Sequence, residues 1–168
     1  WNFAVSHPDR VDRIILLDPA GYPMKVPGPV SLFTTPLIGD IGVVATPKSI
    51  INKYVKQVYG AQMRIMPGTI DRYYEILMYD GNRKACQAIF HELKKLANTE
   101  PVGITTIKAP TLIMWGGKDI WIPLDILERF KKDLPHAKVI VYDGVGHVPM
   151  EEIPEITAKD ADIFLAGK

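Results

Sequence analysis

Three short stretches of the chain are dominated by large apolar residues. The first lies within Val11–Asp18, and Ile14-Ile15-Leu16-Leu17 form its centre. The second is Thr111–Trp115, and the third is Lys138–Tyr142, which an Asp-Gly pair follows. Apolar runs of this length between turn residues are typical of strands buried on both faces, as in a parallel sheet. The pattern therefore predicts three strands, of which the first two are buried.

Between the first and second strands the apolar residues recur at helical spacing. A segment interrupted by proline and glycine comes first, and three helical patterns follow it. We predict a helix capped by Thr46 that opens at Pro47 and ends at Gly60. A second helix is predicted over Thr69–Tyr79, and a third begins at the cap residue Asn82 and continues to about residue 96.

Helical patterns also accompany the strands themselves, at residues 1–6, about 123–134 and about 154–165. Strands that alternate with helices at these spacings predict parallel pairing through right-handed crossovers. We therefore predict an α/β fold with about three parallel strands flanked by helices. The chain is divided into a core sheet segment, a helical insert and a second core sheet segment, at residues 1–22, 23–100 and 101–168.

Composition narrows the class of protein further. The chain has 168 residues, of which 47% are apolar and 23% charged, and its net charge is +1. These values are ordinary for a soluble globular domain and argue against disorder and against a dedicated nucleic-acid binder. The single cysteine, Cys86, excludes an internal disulfide framework, and no apolar run is long enough for a membrane span. We expect a cytoplasmic protein with no nucleic-acid partner.

Two loops carry the residues best suited to catalysis. Asp119 follows the second predicted strand, and His147 lies in Gly144-Val145-Gly146-His147 after the third. Ligands of open α/β sheets bind at the carboxyl ends of the strands, where these two side chains would meet. Asp119 would then orient the imidazole of His147 as a general base. The alternatives are a turn-capping aspartate and an ordinary loop histidine.

Three segments, taken in order, resemble the carboxyl-terminal half of an α/β-hydrolase of the esterase, lipase and carbon–carbon hydrolase type. They are Ser6-His7-Pro8-Asp9-Arg10-Val11 with the following strand, Pro110-Thr111-Leu112-Ile113-Met114-Trp115-Gly116-Gly117-Lys118-Asp119, and Gly146-His147-Val148-Pro149-Met150-Glu151-Glu152-Ile153-Pro154. The resemblance implies a partial α/β-hydrolase fold in which the helical insert is the cap. It also implies Asp119 as the acid and His147 as the base. Asp18, after the first strand, is the second choice for the acid.

The nucleophile of that family is missing from this chain. It sits in a G-x-S-x-G elbow, and none of Ser6, Ser31 and Ser49 has that setting. By the resemblance, the elbow and the oxyanion-hole loop would precede Trp1, where the chain begins within a helix, so we expect a truncated or cleaved product. We predict that the isolated chain has no triad-dependent esterase activity, and we expect neither a metal nor a cofactor.

Apolar residues beside the two loops are candidates for substrate contact. By analogy with the family, Trp121, Val148, Met150 and Tyr22 would line the substrate pocket, and the alternative is that they pack the cap on the sheet. The apolar character of the cap points to a small, uncharged ester or related acyl compound as substrate.

A second interpretation makes the chain a non-catalytic interaction or structural protein. The strand at residues 14–17 would have an exposed edge if the family's preceding strands are absent. Pairing through that edge, as a two-fold homodimer, or with a separate amino-terminal half, would satisfy its backbone groups.

Overall fold

In the computed structural model, which describes residues 1–167, the three apolar stretches form one parallel sheet. The strands are β1 (Ile14–Leu17), β2 (Thr111–Gly116) and β3 (Lys138–Tyr142). Their spatial order is β1-β2-β3, with Ile14 opposite Thr111 and Leu112 opposite Lys138. The α/β class and the parallel pairing are thus confirmed.

Burial within this sheet differs from strand to strand. Every residue of the central strand β2 is buried, as predicted. In β1 only Ile14 is buried, while Ile15, Leu16 and Leu17 are half-buried. The prediction of burial on both faces was therefore wrong for β1, because it lies at an edge of the sheet and has one strand neighbour among the described residues.

Helices surround the sheet, and most of them lie between β1 and β2. In chain order they are α1 (Asn2–Ser6), α2 (Gly28–Phe33), α3 (Ile38–Val44), α4 (Lys48–Val58), α5 (Thr69–Met78), α6 (Asn82–Leu96), α7 (Leu124–Asp133), α8 (Pro149–Glu152) and α9 (Pro154–Leu165). Among the described residues, no helix is long and apolar enough to cross a membrane. The division into core and cap segments at residues 22 and 100 stays a prediction.

Helix starts in the insert deviate from the predicted caps. α4 begins at Lys48, and the Thr46 hydroxyl donates to the carbonyl of Gly42, 2.5 Å away, instead of capping α4. α6 begins at Asn82 itself, and its cap position is Gly81 with φ +80°. Both caps were therefore predicted wrongly by one position, a shift that apolar periodicity does not resolve.

The proline- and glycine-rich segment contains the short helices α2 and α3. Pro29 lies in the first turn of α2, where its missing N–H costs no helical hydrogen bond. α3 follows Leu37, a non-glycine residue with φ +65°. No predicted pattern corresponds to these two helices because each is at most seven residues long.

The core packs mainly between β2 and α7. Trp115 and Phe130 are fully buried there, and Tyr22 packs edge-on against Phe130 with ring centroids 4.8 Å apart. The indole N–H of Trp115 donates to the carbonyl of Ile122, 3.2 Å away, in the loop after β2. This bond ties the loop that carries Asp119 to the buried core.

Candidate active site

Asp119 and His147 meet above the carboxyl ends of β2 and β3. Nδ1 of His147 lies 2.7 Å from Oδ2 of Asp119. The aspartate side chain is fully buried, whereas the histidine side chain is 24% exposed. A buried carboxylate against one ring nitrogen fixes the tautomer and leaves the other nitrogen free to exchange protons.

The Asp119 carboxylate is held by its own loop. Its Oδ1 accepts the backbone N–H groups of Trp121 and Ile122 at 2.7 and 3.0 Å. The backbone N–H of Asp119 in turn donates to the carbonyl of Gly116 at 3.0 Å. An Asx-type turn therefore orients the carboxylate, which leaves Oδ2 for the imidazole.

The loops that follow β2 and β3 touch backbone to backbone. Lys118 N–H donates to the carbonyl of Val145 at 2.8 Å, and a Cβ on Gly116 would overlap the backbone of Gly146. On the opposite side, His147 N–H donates to the carbonyl of Val58 at 2.7 Å. The absence of side chains at Gly116 and Gly146 is what permits this approach.

Glu152 joins the histidine loop to the helical insert between β1 and β2. Its side chain is fully buried, and Oε1 accepts the N–H groups of Gly146 at 2.5 Å and Gly60 at 2.9 Å. Oε2 accepts the N–H of Ala61 and Nη1 of Arg64, both at 3.3 Å. One carboxylate thus satisfies donors from the histidine loop and from the segment after α4.

The neighbouring Glu151 forms a second connection to this helical insert. It accepts the hydroxyls of Tyr59 and Tyr73 at 2.7 Å each and Nη2 of Arg72 at 2.8 Å. Burial opposes ionisation of Glu151, but the two tyrosine hydroxyls and Arg72 outweigh it, so the pKa of this carboxyl is lowered. For both tyrosines, burial and the bond to Glu151 raise the phenol pKa.

Asp18, the second choice for the acid, is also at the site. It is 3% exposed, and its Oδ1 accepts the N–H of Gly116 at 2.8 Å. Each of Asp18, Asp119 and His147 offers one possible metal-ligand atom, and these three atoms lie within 4.8 Å of one another. The three have donor types that bind divalent metals, but a metal here would compete with the bond between Asp119 and His147.

A cleft of about 410 Å³ opens beside His147. Trp121, Val148 and Met150 line it, and the Trp121 ring centroid lies 5.5 Å from that of His147. Ser6, Ser31 and Ser49 do not line it.

Tyr22 corrects our expectation, because it lies in the core and not at the cleft. It is 1% exposed, and its hydroxyl donates to Asp133 at 2.9 Å. Its aromatic bulk packs the sheet against α7 rather than facing the cleft.

A larger apolar cavity of about 470 Å³ lies among the helices between β1 and β2. Trp121 lines both this cavity and the cleft, so the two spaces adjoin at its indole. The remaining walls come from α2, α4, α5 and α6, among them Phe33, Tyr54, Leu77, Cys86 and Phe90. Burial raises the pKa of the Cys86 thiol, in keeping with an apolar wall position.

The chain belongs to the α/β hydrolase fold family, whose model matches residues 1–154. It is 30% identical over 180 residues to lipase 3 of Moraxella sp. (strain TA144), with 98% of this chain and 51% of the lipase covered. It is 25% identical over 161 residues to a 2-hydroxy-6-oxononadienedioate/2-hydroxy-6-oxononatrienedioate hydrolase of Paraburkholderia phymatum, covering 86% of this chain and 50% of that enzyme.

Solved structures show the same fold. A serine hydrolase of the polyaromatic-hydrocarbon-degrading bacterium Cycloclasticus zankles superposes with a TM-score of 0.81 at 17% identity, covering 99% of this chain and 59% of that chain. The chain thus spans about half the length of the curated relatives named above. The resemblance to a partial α/β-hydrolase fold is confirmed.

Sequence reasoning missed Glu151, Glu152 and Arg64. The bond from Gly60 to Glu152 joins residues 92 positions apart, and the bond from Arg64 to Glu152 joins residues 88 apart. Two glutamates in the first turn of a helix fit the ordinary preference for acidic residues there. No local signal separates them from surface charges, and only the tertiary structure reveals their burial.

Proposed function

We propose that this chain is the base-and-acid part of a serine hydrolase that acts on an apolar ester or related acyl compound. His147 would be the general base and Asp119 its orienting acid. The observation that carries the proposal is the 2.7 Å contact between Nδ1 of His147 and a fully buried Asp119 at the strand ends. The family membership and the lipase relative support it.

The chemistry requires two parts that these 168 residues do not contain. Acyl transfer needs a nucleophile next to the base and preorganised donors for the oxyanion. The sequence has no G-x-S-x-G motif. In our proposal the nucleophile and the oxyanion hole come from residues outside this chain, and the free ring nitrogen of His147 takes the proton of that serine.

The apolar part of the substrate would occupy the cap cavity. A cavity of 150 Å³ holds one benzene, which gives roughly 25 Å³ for each carbon atom. By that measure the 470 Å³ cavity holds a group on the order of ten to twenty carbon atoms. The scissile group would lie in the cleft at His147, and the indole of Trp121 would separate it from the apolar tail.

A chimeric hydrolase tests the proposal. The part of Moraxella lipase 3 that this chain does not match is fused to residues 1–168, and p-nitrophenyl ester hydrolysis is measured. We expect turnover by the chimera and none above buffer by the isolated chain, because only the chimera has a nucleophile. Turnover by the isolated chain that is lost in His147→Ala would contradict the proposal, and so would a folded, inactive chimera.

Filling the cap cavity should change chain-length preference. In the chimera, Cys86→Phe places a ring in the cavity, and we expect kcat/KM for p-nitrophenyl decanoate to fall by roughly 10- to 100-fold. Hydrolysis of the acetate should change little. Lys84→Phe, at an exposed position of the same helix, is the control. Equal losses with acetate and decanoate would place the acyl chain elsewhere.

The second candidate is the non-catalytic oligomer. It is favoured by β1, which lies at an edge of the described sheet and carries three half-buried aliphatic residues. The two candidates differ in the chimera experiment: the oligomer hypothesis predicts an inactive chimera, together with a homodimer of the isolated chain in light scattering. A cytoplasmic location also stays a prediction.

A further inference from the structure

Asp18 occupies an unusual position for an aspartate that only caps a turn. Its φ is +42°, a region that non-glycine residues seldom adopt. The backbone N–H of Asp18 donates to Met114 at 3.0 Å, and its Oδ1 accepts Gly116 N–H from the end of β2. These bonds direct the carboxyl group under the carboxyl end of β2, toward Asp119.

The second carboxyl oxygen of Asp18 is buried without a hydrogen-bond donor. Oδ2 is closed to solvent and has no partner. An ionised carboxylate with a buried, unpaired oxygen carries a large desolvation cost. Because the nearby Asp119 is also an acceptor, only a proton on one of the two carboxyl groups can join them by a hydrogen bond.

The donors around the two carboxyl groups show where the negative charge resides. Asp119 receives three donors: the N–H groups of Trp121 and Ile122, and the His147 ring nitrogen. Asp18 receives one, from Gly116. Hydrogen bonds to a carboxylate favour its charged form, so the charge belongs on Asp119 and the proton on Asp18.

We propose that Asp18 is a protonated positioning residue that donates a hydrogen bond to Asp119 and keeps the cluster with His147 at a single carboxylate charge. Its catalytic consequence rests on the proposed function, whereas its protonation does not. The donated bond would hold Asp119 against the imidazole. Ionisation of Asp18 would remove this donor and place a second negative charge beside the base.

The surroundings of Asp18 favour its protonated form up to about neutral pH. Burial and the charge of Asp119 raise the pKa of Asp18 to about 7, against the lowering effects of Gly116 N–H and of His147. Among the described residues that line the cleft, Asp18 and His147 are the titratable ones. From the loop after β2, Asp119 is the charged group that faces it.

Carbon-13 NMR of the isolated 168-residue chain tests this assignment. The carboxyl signal that disappears in Asp18→Asn should titrate with a midpoint near pH 7. Asp9→Asn, at an exposed position, is the control and should leave this titration in place.

Stability provides a second readout, with a defined sign. A carboxyl group whose folded pKa is raised stabilises the fold at low pH, and this contribution is lost as the pH rises through the folded value. The Tm of the wild-type chain should therefore fall relative to Asp18→Asn between pH 5 and pH 8.5.

A third readout is the low-field N–H proton signal of the bond between His147 and Asp119. Asp18→Ala, which cannot donate a hydrogen bond, should lose this signal, whereas Asp18→Asn should retain it.

Several outcomes would overturn the proposal. They are a carboxyl signal of Asp18 that titrates near pH 4, a low-field proton signal that is unchanged in Asp18→Ala, and a proton found on Asp119 instead. Removal of the step near pH 7 by EDTA would show a bound cation and would also overturn it. None of these readouts requires turnover, so an inactive chimera would refute the proposed function and leave this assignment standing.

Discussion

Asp119→Asn in the chimeric hydrolase is expected to lower kcat by about 10⁴-fold with little change in KM. The reason lies in the orientation that the loop imposes on the new side chain. Oδ1 of Asp119 accepts two backbone N–H groups, from Trp121 and Ile122. The asparagine oxygen must keep that place, because its amide nitrogen cannot accept a hydrogen bond.

The amide nitrogen of the variant would then face Nδ1 of His147 as a donor. The imidazole could satisfy it only by accepting at Nδ1, which puts its own proton on Nε2. In that tautomer the ring nitrogen directed at the nucleophile already carries a proton and cannot act as a base. Substrate contacts are untouched, so the loss should appear in kcat.

Steady-state kinetics with a short p-nitrophenyl ester measure this effect. Asp125→Asn, an exposed aspartate at the start of α7, is the matched control and should keep full activity. If Asp119→Asn loses less than about tenfold while Asp18→Asn loses most activity, the acid would be Asp18, the second choice from the sequence.

The parts of the site that could be predicted are those with short-range patterns. Asp119 and His147 each follow an apolar strand within a few residues, and parallel strands place such residues at one edge of the sheet. That topology brings the two residues together across 28 positions of sequence. Strand pairing was predictable for the same reason.

The parts that could not be predicted depend on packing between distant segments. Tyr22 lies close in sequence to the strand end and still turns into the core, because Phe130 and Asp133 of α7 provide an edge-on ring contact and a hydroxyl acceptor. The partial exposure of β1 depends on a neighbour strand, which its own aliphatic sequence cannot reveal. Glu152 shows this dependence most clearly, because its partners Gly60 and Arg64 lie far from it in the sequence.

Glu152→Ala is expected to lower the free energy of unfolding of the chain by about 3–5 kcal/mol. The substitution removes the acceptor for three backbone N–H groups, those of Gly60, Ala61 and Gly146. It also leaves the Arg64 guanidinium without its carboxylate partner. Buried donors that lose their acceptor retain the full desolvation cost, which exceeds the net value of the bonds themselves.

Urea denaturation followed by circular dichroism measures this loss, and hydrogen exchange locates it. The amide of His147, bonded to Val58, should exchange faster in the variant because the histidine loop separates from the cap. Glu155→Ala, three residues further along and exposed, should change stability by no more than about 0.5 kcal/mol. Equal stabilities of Glu152→Ala and Glu155→Ala would mean that water replaces the carboxylate. The cap would then be attached mainly through Glu151 and the two tyrosines that bind it.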